Sequence, residues 1–335
     1  MTDVVVIGGG QSGLAAGFYL RRAGLSFVIL DSQPEPGGAW QHGWDSLRLF
    51  SIARHSSLPG WPMPPFLDGY PTAEHVIDYL TAYEKRYALP IHRPVDVQAV
   101  RRDGSGLVVE TDTGEWEAKA VISATGTWSR PFVPTVPGRF TGTQLHTTGY
   151  RNAAQFSGQR VVVVGGGNSG AQIAADLIEH VELTWVTLRP PRYLPDEIDG
   201  KALFDIASTQ VGGIGNLGDI VAVPPVREAR DAGRLVARPM FDHFDGSEVV
   251  WPDGSRQEAD VVIWCTGFRP VLNHLAPLGL RTKDGRIEVI GTRAADEPRL
   301  HLLGYGSWTG PASATLIGVG RTARAAVSEI KSLVE

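Results

Sequence analysis

Val4-Val5-Val6-Ile7-Gly8-Gly9-Gly10-Gln11-Ser12-Gly13 opens this 335-residue chain, and Val161-Val162-Val163-Val164-Gly165-Gly166-Gly167-Asn168-Ser169-Gly170 repeats the pattern near its middle. Each β-branched run predicts a buried strand, and each glycine cluster predicts a tight turn. The Leu, Ala, Ile and Phe that follow at helical spacing predict a helix packed on that strand. Strand, turn and helix in this order make a pyrophosphate cradle. Gly8 and Gly165 permit the turn, Gly10 and Gly167 let backbone approach the phosphates, and Gly13 and Gly170 let helix and strand pack closely. The helix N-terminus adds unpaired N–H donors and positive dipole charge. Two cradles imply two dinucleotides.

The end of the following strand distinguishes them. After the first cradle, Ser26-Phe27-Val28-Ile29-Leu30 ends in Asp31, an acid placed to accept hydrogen bonds from an adenosine ribose that carries no 2′-phosphate. FAD meets that requirement. After the second, Leu183-Thr184-Trp185-Val186-Thr187-Leu188 ends without an acid and continues into Arg189-Pro190-Pro191-Arg192. A carboxylate there would repel a 2′-phosphate, and a guanidinium would attract it. The second cradle therefore suits NADPH with NADH tolerated, through Arg189 or Arg192, unless both arginines are solvated loop charges.

The bulk composition narrows the remaining classes. At 42% hydrophobic and 20% charged residues the chain is ordinary for an α/β protein, with length enough for two cores. A net charge of −5 and a pI near 6.0 leave no footprint of a nucleic-acid or anionic-membrane binder. The N-terminus enters a strand without a basic and apolar leader, so a cytoplasmic protein is expected. A single cysteine, Cys265, argues against structural zinc, an intrachain disulfide or a redox dithiol, and its place after Val261-Val262-Ile263-Trp264 suits a small buried hydrophobe.

Along the chain, 37–71 is irregular and rich in Pro, Gly, Trp and Ser, a composition usual for functional segments. Thr72 reads as the N-cap of a helix to about Tyr87 with Val76, Ile77, Leu80 and Tyr83 on its apolar face. The stretches 95–101, 107–111 and 115–123 read as a small antiparallel layer. The Pro-rich 130–137 stretch and the residues just after Cys265 are the expected crossings between domains. The expected architecture is α/β, with two nested Rossmann-like dinucleotide-binding domains. Residues 1–150 and 268–335 form a discontinuous FAD domain, closed by a strand at His301–Leu303 and a helix over Ala314–Leu333. Residues 151–267 form the inserted NAD(P)H domain. The 190–247 segment is weakly periodic and has no predicted fold.

Phe140-Thr141-Gly142-Thr143-Gln144-Leu145-His146-Thr147-Thr148-Gly149-Tyr150 resembles the Phe-x-Gly-x-x-x-His-x-x-x-Tyr signature of class B flavoprotein monooxygenases. With Gly37-Gly38-Ala39-Trp40, Ser46-Leu47-Arg48-Leu49-Phe50-Ser51, Ala312-Ser313-Ala314-Thr315-Leu316-Ile317-Gly318 and both cradles, essentially the whole chain is similar to short bacterial flavin-containing monooxygenases that tolerate NADH as well as NADPH. It is also similar to flavin monooxygenases encoded beside arsenic-resistance genes. The resemblance implies hydride transfer from NADPH to flavin, a C4a-hydroperoxyflavin formed with O2, and oxygenation of a soft nucleophile. A sulfide, amine or arsenical, or a ketone, is the implied substrate, and a homodimer is an allowed assembly. Two other readings share these residues: an NAD(P)H oxidase or diaphorase that releases peroxide, and a flavin-binding redox sensor or metal-efflux accessory.

The residues expected against FAD are Gly8, Gly10, Ser12, Gly13, Asp31, Gln33, Gly38, Trp40, Leu47, Val97, Thr125 and Gly126. Those expected against NAD(P)H are Gly165, Gly167, Asn168, Ser169, Gly170, Arg189 and Arg192. No residue is assigned a catalytic role; Ser51 and His55 stand as pocket candidates, and His146 as an organiser of the linker. Larger members carry Trp-Ser-Asn where this chain has Phe50-Ser51-Ile52. Close short relatives carry Pro and an aromatic in place of Ile52 and His55, and related flavoproteins carry Asp where Ser307 stands.

Overall fold

The computed structural model describes residues 1–104, 106–196, 220–282 and 285–335. Strand β1 (Thr2–Ile7) turns at Gly8 into helix α1 (Gln11–Ala23) and returns as β2 (Phe27–Leu30), parallel to β1. On its other side β1 pairs parallel with the C-terminal half of β6 (Gly114–Ser123). Next to β6 lies β18 (Glu297–Leu302), and beyond β2 lies β3 (Ile91–His92). The parallel order is β18-β6-β1-β2-β3. A strand from the far end of the chain thus lies beside β6, which is what makes this unit discontinuous in sequence.

The hairpin β4 (Val97–Asp103) and β5 (Gly106–Thr111) joins the N-terminal half of β6. Antiparallel β16 (Val289–Ile290) and β17 (Arg293–Ala294) extend the edge beyond β18, for nine strands among the described residues. Alternation along β1 divides the interior. Val4 and Val6 face α1, α2 (Ala73–Arg86) and α5 (Val319–Val334), while Val5 and Ile7 face the β4–β6 layer and the 272–280 turn. Thr72 caps α2 by accepting from His75 N–H at 3.2 Å, and Tyr79 joins Val76, Leu80 and Tyr83 on its buried face, while Ile77 is only half-buried. Helix α5 starts five residues later than Ala314, because 314–318 is spent in turns.

The second unit repeats the plan. Strand β9 (Arg160–Val164), helix α3 (Asn168–Leu177) and β10 (Glu182–Thr187) build its cradle in a parallel sheet of order β11-β10-β9-β15-β8. Here β8 is Thr143–His146, β11 is Ala237–Pro239 and β15 is Val261–Trp264. Val161 and Val163 face α3 and α4 (Pro224–Asp231). Val162 and Val164 face a second sheet of order β14-β13-β12-β7, formed by Arg256–Glu258, Glu248–Val250, His243–Gly246 and Gly138–Phe140.

Two expectations change. The boundary at residue 150 moves toward the N-terminus: β7 and β8, expected in the FAD unit, pair inside the second unit. Phe140 fills the space between its two sheets, 5.0 Å from the Phe244 ring, and β8 completes the edge beside β15. The segment after residue 190, unassigned from sequence, supplies α4, β11 and β12, although 197–219 lies outside the described residues. The crossings run side by side: Phe132 N–H donates to Gly267 O, Arg269 N–H to Arg130 O and Val271 N–H to Gly126 O, at 2.9, 2.8 and 3.0 Å.

Candidate functional site

The first cradle opens into a cavity of about 520 Å³ at the C-terminal ends of the parallel strands. It is lined by Gly8, Gly10, Ser12, Asp31, Gln33, Gly38, Trp40, Val97, Thr125 and Gly126, ten of the twelve residues expected there. The other two have different duties. A Cβ on Gly13 would stand 1.9 Å from Gly8 O, so this glycine lets helix and turn touch, as its place in the motif implies. Leu47 lies off the cavity and packs on the core of the second unit.

The cradle fits a dinucleotide on its own geometry. Helix α1 begins at Gly10 with no side-chain cap, which leaves first-turn N–H groups for an anion. Gly38 sits at φ +55° with its hypothetical Cβ 2.8 Å from Gly10 Cα, and Gly304 at φ +85° with its Cβ 2.1 Å from Ser12 Oγ. Glycine is demanded at both by left-handed backbone and close approach. Trp40 Nε1 donates to Gln11 Oε1 (3.1 Å), and Gln11 Nε2 donates to Ala314 O (2.7 Å), which ties the rim together. His42 stacks on Trp128, with ring centres 3.6 Å apart, and contacts Gln33 Oε1 at 2.9 Å. Burial and the nearby Arg151 charge lower its imidazole and favour the neutral form.

A buried chain that sequence reasoning did not anticipate runs behind the cavity. Thr125 Oγ1 donates to Val271 O (2.6 Å), so Tyr305 OH must donate to Thr125 (2.7 Å) and Ser123 Oγ to Tyr305 (2.9 Å). His274 Nε2–H is then the donor to Ser123 at 3.1 Å. Burial lowers the His274 imidazole to about 4 and keeps it neutral, so the chain selects the Nε2–H tautomer. Each of its hydrogen bonds joins residues more than a hundred positions apart, so no local pattern could announce it. Ser307 is exposed and off the cavity; Gly304 of the same turn lines it.

The second cradle has the same build. Gly165, at φ +146°, would place a Cβ 2.3 Å from Cys265 O, and Gly170 one 2.1 Å from Gly165 O. Around Gly167 no such atom lies within 4 Å. Helix α3 starts at Gly167 without a side-chain cap, with Ser169 in its half-buried first turn. Asn168 is occupied: its Oδ1 accepts from Val221 N–H at 2.8 Å and ties the cradle to the segment that enters α4. Arg189 and Arg192 follow β10 and are exposed.

The remaining candidates lie elsewhere. Ser51 Oγ shares a 2.7 Å hydrogen bond with Ser56 Oγ, and Ser56 also donates to Ile52 O, so the pair locks a buried turn outside the cavity. His55 Nε2 accepts from Arg54 Nε at 3.1 Å and does not line the cavity either. His146 Nε2 bonds Gly267 O at 2.9 Å on the second crossing, its ring edge against Phe268, and burial lowers its imidazole. That contact suits an organiser of the linker. Among the described residues, no His, Cys, Asp or Glu group has metal-site geometry and no helix is long and apolar enough to cross a membrane.

Comparison with known proteins agrees with this geometry. The family described as pyridine nucleotide-disulphide oxidoreductase matches residues 5–195. The chain is 30% identical to the uncharacterized oxidoreductase CzcO of Bacillus subtilis, over 98% of this chain and 99% of that one. It is 28% identical to a probable indole-3-pyruvate monooxygenase of Arabidopsis thaliana, over 79% of this chain and 74% of the relative. A solved flavin-containing monooxygenase from Stenotrophomonas maltophilia is 51% identical, with a TM-score of 0.93 over 99% of this chain and 98% of that one. The chain belongs to the pyridine nucleotide-disulphide oxidoreductase family and, within it, is a flavin-containing monooxygenase that uses FAD and NADPH.

Proposed function

We propose that the enzyme transfers one oxygen atom of O2 to a soft nucleophile, a sulfide in the first instance, with amines, arsenicals and ketones as further classes, at the expense of NADPH or NADH. The observation that carries this reading is the pair of uncapped, glycine-lined helix N-termini on two separate sheets, combined with a lone, buried cysteine. Two dinucleotides bring a reductant to a flavin, and burial pushes the Cys265 thiol up to about 12, far from the reactive thiolate a dithiol pathway would need. Bound FAD supplies hydride acceptance and the reaction with O2.

The chain's own residues bind, orient and exclude water. Gly8, Gly10 and the α1 N-terminus would take the FAD pyrophosphate, and Asp31 its adenosine ribose. Gly165, Gly167 and the α3 N-terminus would take the NADPH pyrophosphate, with Arg189 or Arg192 on its 2′-phosphate. The Trp40–Gln11–Ala314 rim and the His42–Trp128 stack would limit water at the first cavity, which favours oxygen transfer over peroxide release. His146 holds the crossings in register through Gly267 rather than moving a proton.

Oxygen uptake with NADPH, measured with and without thioanisole beside peroxide and sulfoxide yields, tests the proposal. The expected result is sulfoxide that accounts for most of the extra NADPH consumed. Peroxide equal to NADPH oxidised, with no sulfoxide, would instead make the protein an oxidase. Negligible turnover with every nucleophile would favour a sensor.

A further inference from the structure

Asp31 is not a lone acid waiting for a ribose. Strand β3 pairs with β2 so that Asp31 N–H donates to His92 O at 3.0 Å and Val95 N–H donates to Asp31 O at 2.9 Å. That register carries Arg93 to the floor of the first cradle. Its Nε donates to Asp31 Oδ2 at 2.7 Å, Nη1 and Nη2 grip the two Glu84 oxygens at 2.8 and 2.6 Å, and Nη2 comes within 3.5 Å of Gly9 O. Arg93 and Glu84 are each 11% exposed and Asp31 6%, so the three charges face one another with little screening. Asp31 Oδ1 is engaged only by a long contact from Gln33 N–H, at 3.4 Å, and is the oxygen left for a ligand.

We propose that Arg93 is a positioning residue for the adenosine end of FAD, and that Glu84, Arg93 and Asp31 form one charge-balanced unit that decides which ribose the first cradle accepts. The Arg93 fork is held by Glu84, and its Nε–H engages Asp31 Oδ2, which leaves Oδ1 for the ribose. Unaided, Arg93 would cancel the charge that turns away a 2′-phosphate. Glu84, delivered by α2, restores a formal charge of −1 to the cluster while keeping the guanidinium oriented. The carboxylate that sets the selectivity therefore comes from a helix outside the fingerprint.

The proposal rests on the assignment of FAD to the first cradle, which the flavin content of the wild-type protein checks independently. Full-length holoenzyme is diluted, FAD release is followed by flavin fluorescence, and AMP or adenosine 2′,5′-bisphosphate is added to compete for rebinding. Flavin release reports this cradle alone, even where the bisphosphate also occupies the second. Arg93→Gln should raise the FAD Kd by about tenfold or more and widen the preference for AMP over the bisphosphate, because the cluster gains net negative charge. Glu84→Gln should narrow that preference, and Arg93→Lys, which keeps charge without the fork, should fall between wild type and Arg93→Gln in FAD affinity. The opposite signs separate positioning from packing. An unchanged FAD Kd in Arg93→Gln, or both Gln variants shifting the AMP preference in the same direction, overturns the proposal. If Arg93→Gln does not fold, Glu84→Gln decides alone, and an unaltered preference is then the refuting result.

Discussion

The three spaced glycines of the second cradle do different work, which makes substitutions there informative. Gly165 and Gly170 are pressed against Cys265 O and Gly165 O at 2.3 and 2.1 Å from a hypothetical Cβ, so any side chain must displace backbone. Gly167 has ordinary backbone, φ −107°, and no such atom within 4 Å. Gly167→Val should therefore fold and keep FAD but lose NADPH-driven flavin reduction by about a hundredfold or more, as its side chain fills the phosphate approach. Gly170→Val should instead lower the yield of folded protein. Stopped-flow reduction and flavin content check both; rapid reduction in Gly167→Val would refute the two-cradle assignment. Arg189 is a second residue-scale test. A partly exposed guanidinium–phosphate contact supplies about 1–2 kcal/mol, so Arg189→Ala should cost roughly tenfold in kcat/KM for NADPH and leave NADH nearly unchanged. Equal losses for both coenzymes would make Arg189 structural. The turn geometry of these glycines was legible because the motif is local. Arg93, Glu84 and His274 were not, since strand register and helix α2 bring Arg93 and Glu84 together behind Asp31, and a distant turn brings His274 to the cavity.

At the scale of elements, legibility followed periodicity. The strands of both cradles and helix α2 carry strong apolar patterns and clear caps, and they lie where read. Helix α5 shifted because the apolar residues before Val319 pack from turns, and β11 to β14 escaped notice because strands of three or four residues have no measurable period. Elements also bury two histidines in ways composition hides. His301 on β18 and His274 in the 273–278 turn are lowered to about 4 by burial, against about 6.5 in an unfolded chain. Between those values the unfolded state binds more protons than the folded one. Stability should therefore be flat above pH 6.5 and fall as pH drops toward 4, by up to about 3 kcal/mol per histidine. Burial lowers His42 and His146 too, with the same sign. Thermal melts at saturating FAD from pH 7.5 to 4.5 measure the slope, and His301→Gln should flatten it. A wild-type Tm that does not decline below pH 6 would show that these imidazoles are hydrated.

Across the whole molecule, the irregular 43–53 loop decides how the two units are held. Its side chains alternate between cores: Trp44, Leu47 and Phe50 enter that of the second unit, and Leu49 and Ala53 that of the first. Arg151 Nη1 donates to Gly43 O at 2.8 Å, Asp45 N–H to Arg151 O at 2.9 Å and Asn152 Nδ2 to Asp45 Oδ2 at 2.8 Å. Without this staple the units would meet mainly at the paired crossings, a two-stranded connection on which domains can swing. The sequence marked the segment as functional by its tryptophans but could not say for what, because its partners lie a hundred residues away. Trp44 is 6% exposed, and its removal leaves a large cavity in the second core. Trp44→Ala should cost about 3–5 kcal/mol of stability, whereas Asp45→Ala, which loses an exposed contact, should cost at most about 1 kcal/mol. Loosened units would also hold the two cofactors in poorer register. Trp44→Ala at a temperature where it stays folded should retain FAD, yet reduce flavin more slowly with NADPH and release a larger share of its electrons as peroxide. Stopped-flow reduction and a peroxide-to-NADPH ratio measure this. A variant destabilised by several kcal/mol but with unchanged reduction rate and coupling would show that the staple serves folding alone, and that the crossings hold the units in register without it.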